Sequence, residues 1–299
     1  MKRKVVSLEF MTQMVISGVL VGGLYATFGI GISLLWGVMK VCNFAHGAMA
    51  FLGAYFAYSL FAAYRLDPLV SLVVSIPVFF VLGVLLQKVL IEPITGRISE
   101  VMFELVTIVI TFGLGLALES LMIIYWTSLP KSITVDYFGT VAFKLGVFFF
   151  PTSSVVAFAI AIGTVASLFI ILEKTHIGLA IRATSQDREA AQLVGVDVNR
   201  VSLVSFGIAS VFASFAGISM SLTFPFTPSA SLIWCVRGFI VVVLGGIGSI
   251  VGTLVGGLIL GLSENMVGSV FPFVFREFIA LVIFIGFLLV KPSGLFRRA

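Results

Sequence analysis

Charge is what this sequence has least of: Asp, Glu, Lys and Arg make up 10% of its 299 residues, against about a quarter in soluble globular domains. That shortage excludes an ordinary water-soluble domain. Cysteine is nearly absent, and Cys42 and Cys235 sit in apolar surroundings without C-x-x-C spacing, so no disulfide is expected. The two histidines, His46 and His176, are too far apart in sequence to make a metal cluster by themselves, and no metal is expected either. Missing too are G-x-x-x-x-G-K-[ST], G-x-S-x-G and H-E-x-x-H, which removes the P-loop and the commonest hydrolase signatures. There is no Ser-rich, Pro-rich or low-complexity linker, which argues for a single domain over 1–299. The net charge of +5 would suit nucleic acid. The basic residues form no patch interleaved with base-reading side chains, however, and they cluster at the termini, so no nucleic acid is expected.

What the chain does have is apolar length. With 60% hydrophobic residues and a mean hydropathy of +1.21, it reads as an all-α polytopic membrane protein surrounded by membrane lipid. Apolar segments fall at about 11–35, 43–63, 69–91, 101–125, 153–172, 201–222, 236–262 and 275–291. Most reach the roughly 20 residues that a helix needs to cross a bilayer. Met1-Lys2-Arg3-Lys4 before the first run mimics a signal peptide, yet the run continues to about residue 36 without a cleavage-like site, so it reads as a retained membrane segment. The Phe-rich stretch 147–150 suggests only lipid or interface contact.

One stretch is different. Residues 173–200 hold eight of the 31 charged side chains (18 basic plus 13 acidic). Each charge costs about 2.5–3.5 kcal/mol at the bilayer centre, so this stretch must lie in water. Asp187 or Ser185 can cap a helix of about two turns there, with Asp187 and Glu189 at its start and Gly195 as its stop. So short a helix is marginal alone. Ala190, Leu193 and Val194 on one face suggest that it docks on a partner protein.

Glu189-Ala190-Ala191, with Gly195 four residues after the second alanine, resembles the EAA loop of ABC-transporter permeases. Gly-Leu-Ala-Ile-Arg-Ala-Thr at 178–184, Asn43-Phe44-Ala45-His46-Gly47, and Val243-Leu244-Gly245-Gly246-Ile247-Gly248-Ser249 stand in that family's order. Together they resemble a branched-chain amino acid permease of the LivH type along nearly the whole chain. The resemblance implies a transport subunit, not an enzyme. ATP and Mg would sit on two partner ATPase subunits, beside a second homologous permease and an extracytoplasmic substrate-binding protein. The 173–200 loop would be the coupling loop, with Arg182, Asp187, Arg188, Glu189, Ala190, Ala191 and Gly195 at the ATPase contact. Related permeases also carry urea and short amides, and an ion-coupled secondary transporter is the alternative of another class.

If 173–200 meets an ATPase it is cytoplasmic, and parity then places residues 223–235 outside. Lys291, Arg297 and Arg298 ask for a cytoplasmic tail. Both requirements are met if 236–262 is a hairpin broken near 245–249, with a single long helix as the rival. The run to Leu35, the break with Lys40 and Asn43, and the small-residue run 47–58 repeat the pattern, and parity puts both ends of this unit outside. Lys2, Arg3 and Lys4 pull the other way. Broken backbone at membrane depth lies in protein or beside water. Asn43, His46, Gly245, Gly246, Gly248 and Ser249 are therefore pathway-lining candidates, although Asn43 and His46 can equally satisfy freed backbone groups. A Cys42–His46 nucleophile and base lacks a third orienting group. Glu104 and Glu119 lie inside an apolar segment, both near enough to an end to snorkel. Gly18 and Gly22, Gly248, Gly252 and Gly256, and Gly257 and Gly261 recur every four residues and mark close helix contacts.

Overall fold

The computed structural model describes residues 8–134, 142–272, 274–291 and 294–296. The charged residues Lys2, Arg3, Lys4, Arg297 and Arg298 lie outside them. The chain forms α1 (Leu8–Met39), α2 (Ala45–Tyr64), α3 (Pro68–Leu86), α4 (Glu100–Trp126), a hairpin of β1 (Ala142–Leu145) and β2 (Phe148–Pro151), α5 (Thr152–Lys174), α6 (His176–Gln186), α7 (Arg188–Leu193), α8 (Val198–Thr223), α9 (Ser231–Gly245), α10 (Ile250–Val270) and α11 (Val274–Val290). Among the described residues, eight helices are long and apolar enough to cross a membrane. The all-α polytopic class expected from composition holds.

The packing is set by small residues. α1 lies antiparallel along α10, and a Cβ on Gly22 would stand 2.7 Å from the Leu258 Cα and 2.8 Å from the Gly257 carbonyl oxygen. Only hydrogen fits between these backbones. The same holds where a Cβ on Gly18 would stand 2.8 Å from the Leu262 Cα. These are the glycine faces read from the sequence. α8 is the other central helix, and its serines face inward. Ser202, Ser205, Ser210, Ser214 and Ser219 are all buried, and Ser214 Oγ lies 3.0 Å from Ser75 Oγ of α3. Helices α3, α4 and α5 wrap this core and leave long apolar faces uncovered.

Both proposed breaks exist, and each has a local cause. α1 runs on to Met39 and then stops at Lys40, which takes φ +53°. Residues 40–44 turn back, and α2 starts beside the middle of α1, since a Cβ on Gly31 would stand 3.0 Å from His46 Nε2. Gly31 is eight residues, about 12 Å, from the end of α1, so α2 begins deep within the bundle. Its freed backbone is satisfied by side chains. Asn43 Oδ1 accepts from the Ala45 N–H at 3.0 Å, and Thr111 of α4 accepts from the Phe44 N–H at 3.1 Å.

The second break falls at 246–249. Gly246 takes φ +103° and Gly248 φ +79°, and Ser249 Oγ caps α10 by accepting from the Gly252 N–H at 3.1 Å. Thus 236–262 is two antiparallel arms and not one tilted helix. The first arm begins at Ser231, earlier than hydropathy suggests, and is only 15 residues long. Its last carbonyls, on Leu244 and Gly245, accept at 3.0 Å from the N–H groups of Leu295 and Phe296. The tail therefore caps a helix that no side chain caps.

The bundle has two distinct ends. At one, Gln13 of α1 clasps the β-hairpin, donating to the Phe149 carbonyl at 2.8 Å and accepting from its N–H at 2.9 Å. Lys131 and Phe226 bridge there as well. The Phe-rich stretch is thus strand β2, a fold that its composition hid. The other end gathers Lys40, the start of α4, α6, α7, the second break and residues 294–296.

Candidate functional site

Residues 173–200 form two short helices, of which the sequence anticipated only the second. α6 is started by Thr175, whose Oγ1 accepts from the Gly178 N–H at 3.0 Å. α7 is started by Asp187, accepting from the Ala190 N–H at 2.9 Å, and α8 by Asp197, accepting from the Arg200 N–H at 3.0 Å. Three side-chain caps in one segment explain why it breaks into short pieces. Gly195 closes α7 at φ +87°, a conformation that favours glycine.

Ala191 faces the body of the protein, while Leu193 and Val194 are 88% and 80% exposed. Arg182 pairs with Glu173 at the end of α5. Arg188 is half-buried; burial lowers its pKa from the usual arginine value, and the charge of Glu100 opposes that shift. Glu100 in turn pairs with Lys40 at 3.2 Å. This pair is exposed and contributes little stability, but it links the start of α4 to the first break.

Two clefts open at this end. One, of about 800 Å³, lies between Leu34, Gly37, Leu168, Arg182 and Gly248. The other, of about 550 Å³, lies between Lys40, Glu100, Glu104, Asp187, Arg188 and Glu189. Gly37 and Gly248 touch, because a Cβ on Gly37 would stand 2.7 Å from the Gly248 Cα. Gly246 backs onto the tail, where a Cβ would stand 2.8 Å from the Phe296 carbonyl oxygen, and Gly245 packs on Gly252. Asn43 and His46 are buried inside the chain. They stand near Gly31, about 9 Å along α1 from the Gly37–Gly248 contact. The two breaks are connected through the last turns of α1, from Gly31 to Gly37.

One feature escaped sequence reasoning altogether. Arg237 of α9 pairs with Glu264 of α10 at 3.2 Å, with the side chains only 11% and 4% exposed. Tyr25 of α1 donates its hydroxyl proton to Glu264 at 2.5 Å. The guanidinium lies over the rings of Trp234 and Tyr25 at 5.4 and 5.8 Å. Three membrane-spanning helices are thus joined by one buried charge pair. Each member sits alone in an apolar run, and the available signal was that a lone arginine there must have a partner.

These features define a multi-pass helical membrane protein with one polar, water-exposed end segment. The chain belongs to the family described as "Branched-chain amino acid transport system / permease component", whose model matches residues 14–290. It is 26% identical over 298 residues to the high-affinity branched-chain amino acid transport system permease protein BraD of Pseudomonas aeruginosa, covering 96% of this chain and 95% of that one. To LivH of Escherichia coli K12 it is 25% identical over 301 residues, covering 97% and 96%. To the probable LivH of Methanocaldococcus jannaschii it is 27% identical over 300 residues, covering 95% and 92%. No solved structure matches.

Proposed function

We propose that this chain is the membrane subunit of an ATP-binding-cassette importer for branched-chain or other hydrophobic amino acids, in the inner or plasma membrane. The α6–α7 end is cytoplasmic. Two ATPase subunits, which carry ATP and Mg, dock there, a second homologous permease completes the membrane part, and a binding protein delivers solute at the β-hairpin end. The observation that carries this is the surface at the end of α7: Leu193, the last residue of a six-residue helix, and Val194 just after it are nearly fully exposed. Two large aliphatic side chains held out in water at the end of a helix too short to stand alone mark a surface that another protein covers.

In this arrangement Arg182, Asp187, Arg188, Glu189, Ala190, Ala191 and Gly195 shape the ATPase contact. A push on α7 reaches Arg188, then Glu100, then Lys40 at the first break. The break residues Asn43, His46, Gly245, Gly246, Gly248 and Ser249 line the path of the solute in this reading, since broken backbone inside a membrane lies in protein or beside water. Leu193→Asp combined with Val194→Asp, or Glu189→Lys, is expected to reduce ATPase retention on the purified permease at least tenfold, with uptake falling in parallel. Retention equal to wild type in both variants would remove α7 from the interface.

Sidedness has its own test. Leu145 in β1 is 74% exposed, and Val194 is 80% exposed. In a background lacking Cys42 and Cys235, Leu145→Cys is expected to react with an impermeant thiol reagent added outside intact cells, and Val194→Cys only after the membrane is opened. The reverse pattern would invert the topology.

A further inference from the structure

The cleft of about 800 Å³ between α1, α5, α6 and the second break combines apolar walls with unused hydrogen-bond donors. Leu34, Val38, Leu168, Leu172 and Ile247 make the walls apolar; among the described residues no acid lines it, and Arg182 is the one charged residue that does. The neighbouring cleft is the opposite, with Glu100, Glu104, Asp187 and Glu189 against Lys40 and Arg188. α10 starts in the wall of the first cleft, at Ile250. In its first turn the Gly252 N–H donates to Ser249 Oγ and the Thr253 N–H to the Ser249 carbonyl. Among the described residues, the N–H groups of Ile247, Gly248, Ile250 and Val251 have no hydrogen-bond partner. The start of a helix of 21 residues carries a partial positive charge, and free N–H groups there accept oxyanions.

A side chain from another helix stands at the same point. Gly29, Ser33 and Gly37 follow one another at every fourth position along one face of α1. A Cβ on Gly29 would stand 2.8 Å from Thr253 Cγ2, and one on Gly37 2.7 Å from the Gly248 Cα. Ser33, midway between them, therefore faces the first turn of α10, and it lines the cleft at its inner end. It is 2% exposed, and its hydroxyl has no hydrogen-bond partner, not even the carbonyl one turn back in its own helix. A buried hydroxyl beside free N–H groups leaves several donors together with no acceptor. Leaving such groups unmatched costs about 1–3 kcal/mol each, so the arrangement calls for a ligand that accepts.

We propose that this cleft is an oxyanion site: the first turn of α10, the Ser33 hydroxyl and Arg182 hold a carboxylate or phosphate, and the aliphatic walls hold the hydrocarbon chain attached to it. Arg182 is already paired with Glu173, so the selection comes from directed donors more than from net charge. Two sources supply this chemistry. One is a free aliphatic carboxylate, amino acids among them, entering at the end that carries α6. The other is a lipid phosphate whose acyl chain lies along Leu168 and Leu172. The site lies within one chain, and it stands whichever solute the importer carries.

Leu179 lines the cleft and is well exposed, so a cysteine there reports occupancy. The full chain carrying Leu179→Cys, in a background lacking Cys42 and Cys235, is placed in phosphatidylcholine nanodiscs and its reaction with N-ethylmaleimide is timed. Leucine and 4-methylpentanoate are expected to slow the reaction at least fivefold and 4-methylpentanamide less than twofold, which identifies a free carboxylate. Slowing of that size on exchanging phosphatidylcholine for phosphatidylglycerol, with no carboxylate added, identifies a lipid phosphate. Slowing below twofold in both arms would overturn the proposal, and so would equal slowing by the carboxylate and its amide. Ile250→Pro then tests the donors. Proline is tolerated at the first position of a helix, and Ser249 before it is already extended, so the change removes one N–H and keeps α10. It is expected to raise the half-protecting concentration, or lipid fraction, at least tenfold, against no more than threefold for Ile250→Ala, which loses the side chain and keeps the N–H. Ser33→Ala, which breaks no existing hydrogen bond, is expected to raise it at least fivefold with unchanged protein yield. Equal shifts in Ile250→Pro and Ile250→Ala, together with none in Ser33→Ala, would overturn the assignment of the donors.

Discussion

Arg237→Met is expected to lower the stability of the detergent-solubilised protein by about 3–5 kcal/mol, the usual consequence of leaving one member of a buried ion pair without the other. Glu264 is 4% exposed on its side chain, and without the guanidinium its carboxylate keeps the Tyr25 hydroxyl but loses its countercharge. The damage reaches three helices, because the pair ties α9 to α10 and, through Tyr25, to α1. Replacing both members by methionine is expected to recover much of the loss, since apolar groups of similar volume need no countercharge. Thermal unfolding midpoints of the two single variants and the double variant check this. A double variant no better than the worse single one would show that packing over Trp234 and Tyr25, and not the charge pair, is what matters.

Gly22→Ala is expected to be nearly as damaging although it adds one methyl group. That methyl would stand 2.7 Å from the Leu258 Cα, on backbone that cannot rotate away. α1 and α10 must then separate along their length, and overpacking of this kind costs about 1–3 kcal/mol or more. Gly163→Ala in α5 is the control, because nothing lies within 4 Å of its added Cβ. There the change is expected to be neutral or to stabilise by up to about 1 kcal/mol through helix propensity. Yield of monodisperse protein separates the two, and equal yields would mean that the α1–α10 contact is looser than its geometry.

The sequence made the membrane helices legible because bilayer thickness demands long apolar runs, and the breaks legible because Gly246, Gly248 and Asn43 have few other uses inside such runs. The cap of α7 was legible for the same reason, as Asp187 has a direct local role. What stayed hidden depends on residues far apart in sequence. Thr111 supports the first break from another helix, Gln13 clasps β2 across 136 positions, and residues 295–296 close the end of α9. Nothing in the neighbourhood of any of these residues announces its partner. Glu119 was visible as an intramembrane acid, but the direction of its side chain was not: it accepts from the hydroxyl of buried Ser231 at 3.2 Å and does not snorkel.

α1 is one unbroken helix of 32 residues, about 48 Å long, with Gln13 on the β-hairpin at one end and Gly37 on Gly248 at the other. A single rigid rod therefore touches both the surface proposed for the binding protein and the break nearest the ATPase contact. Whatever factor nucleotide imposes on the affinity for the loaded binding protein, the loaded binding protein must impose the same factor on nucleotide affinity, because the two equilibria share one thermodynamic cycle.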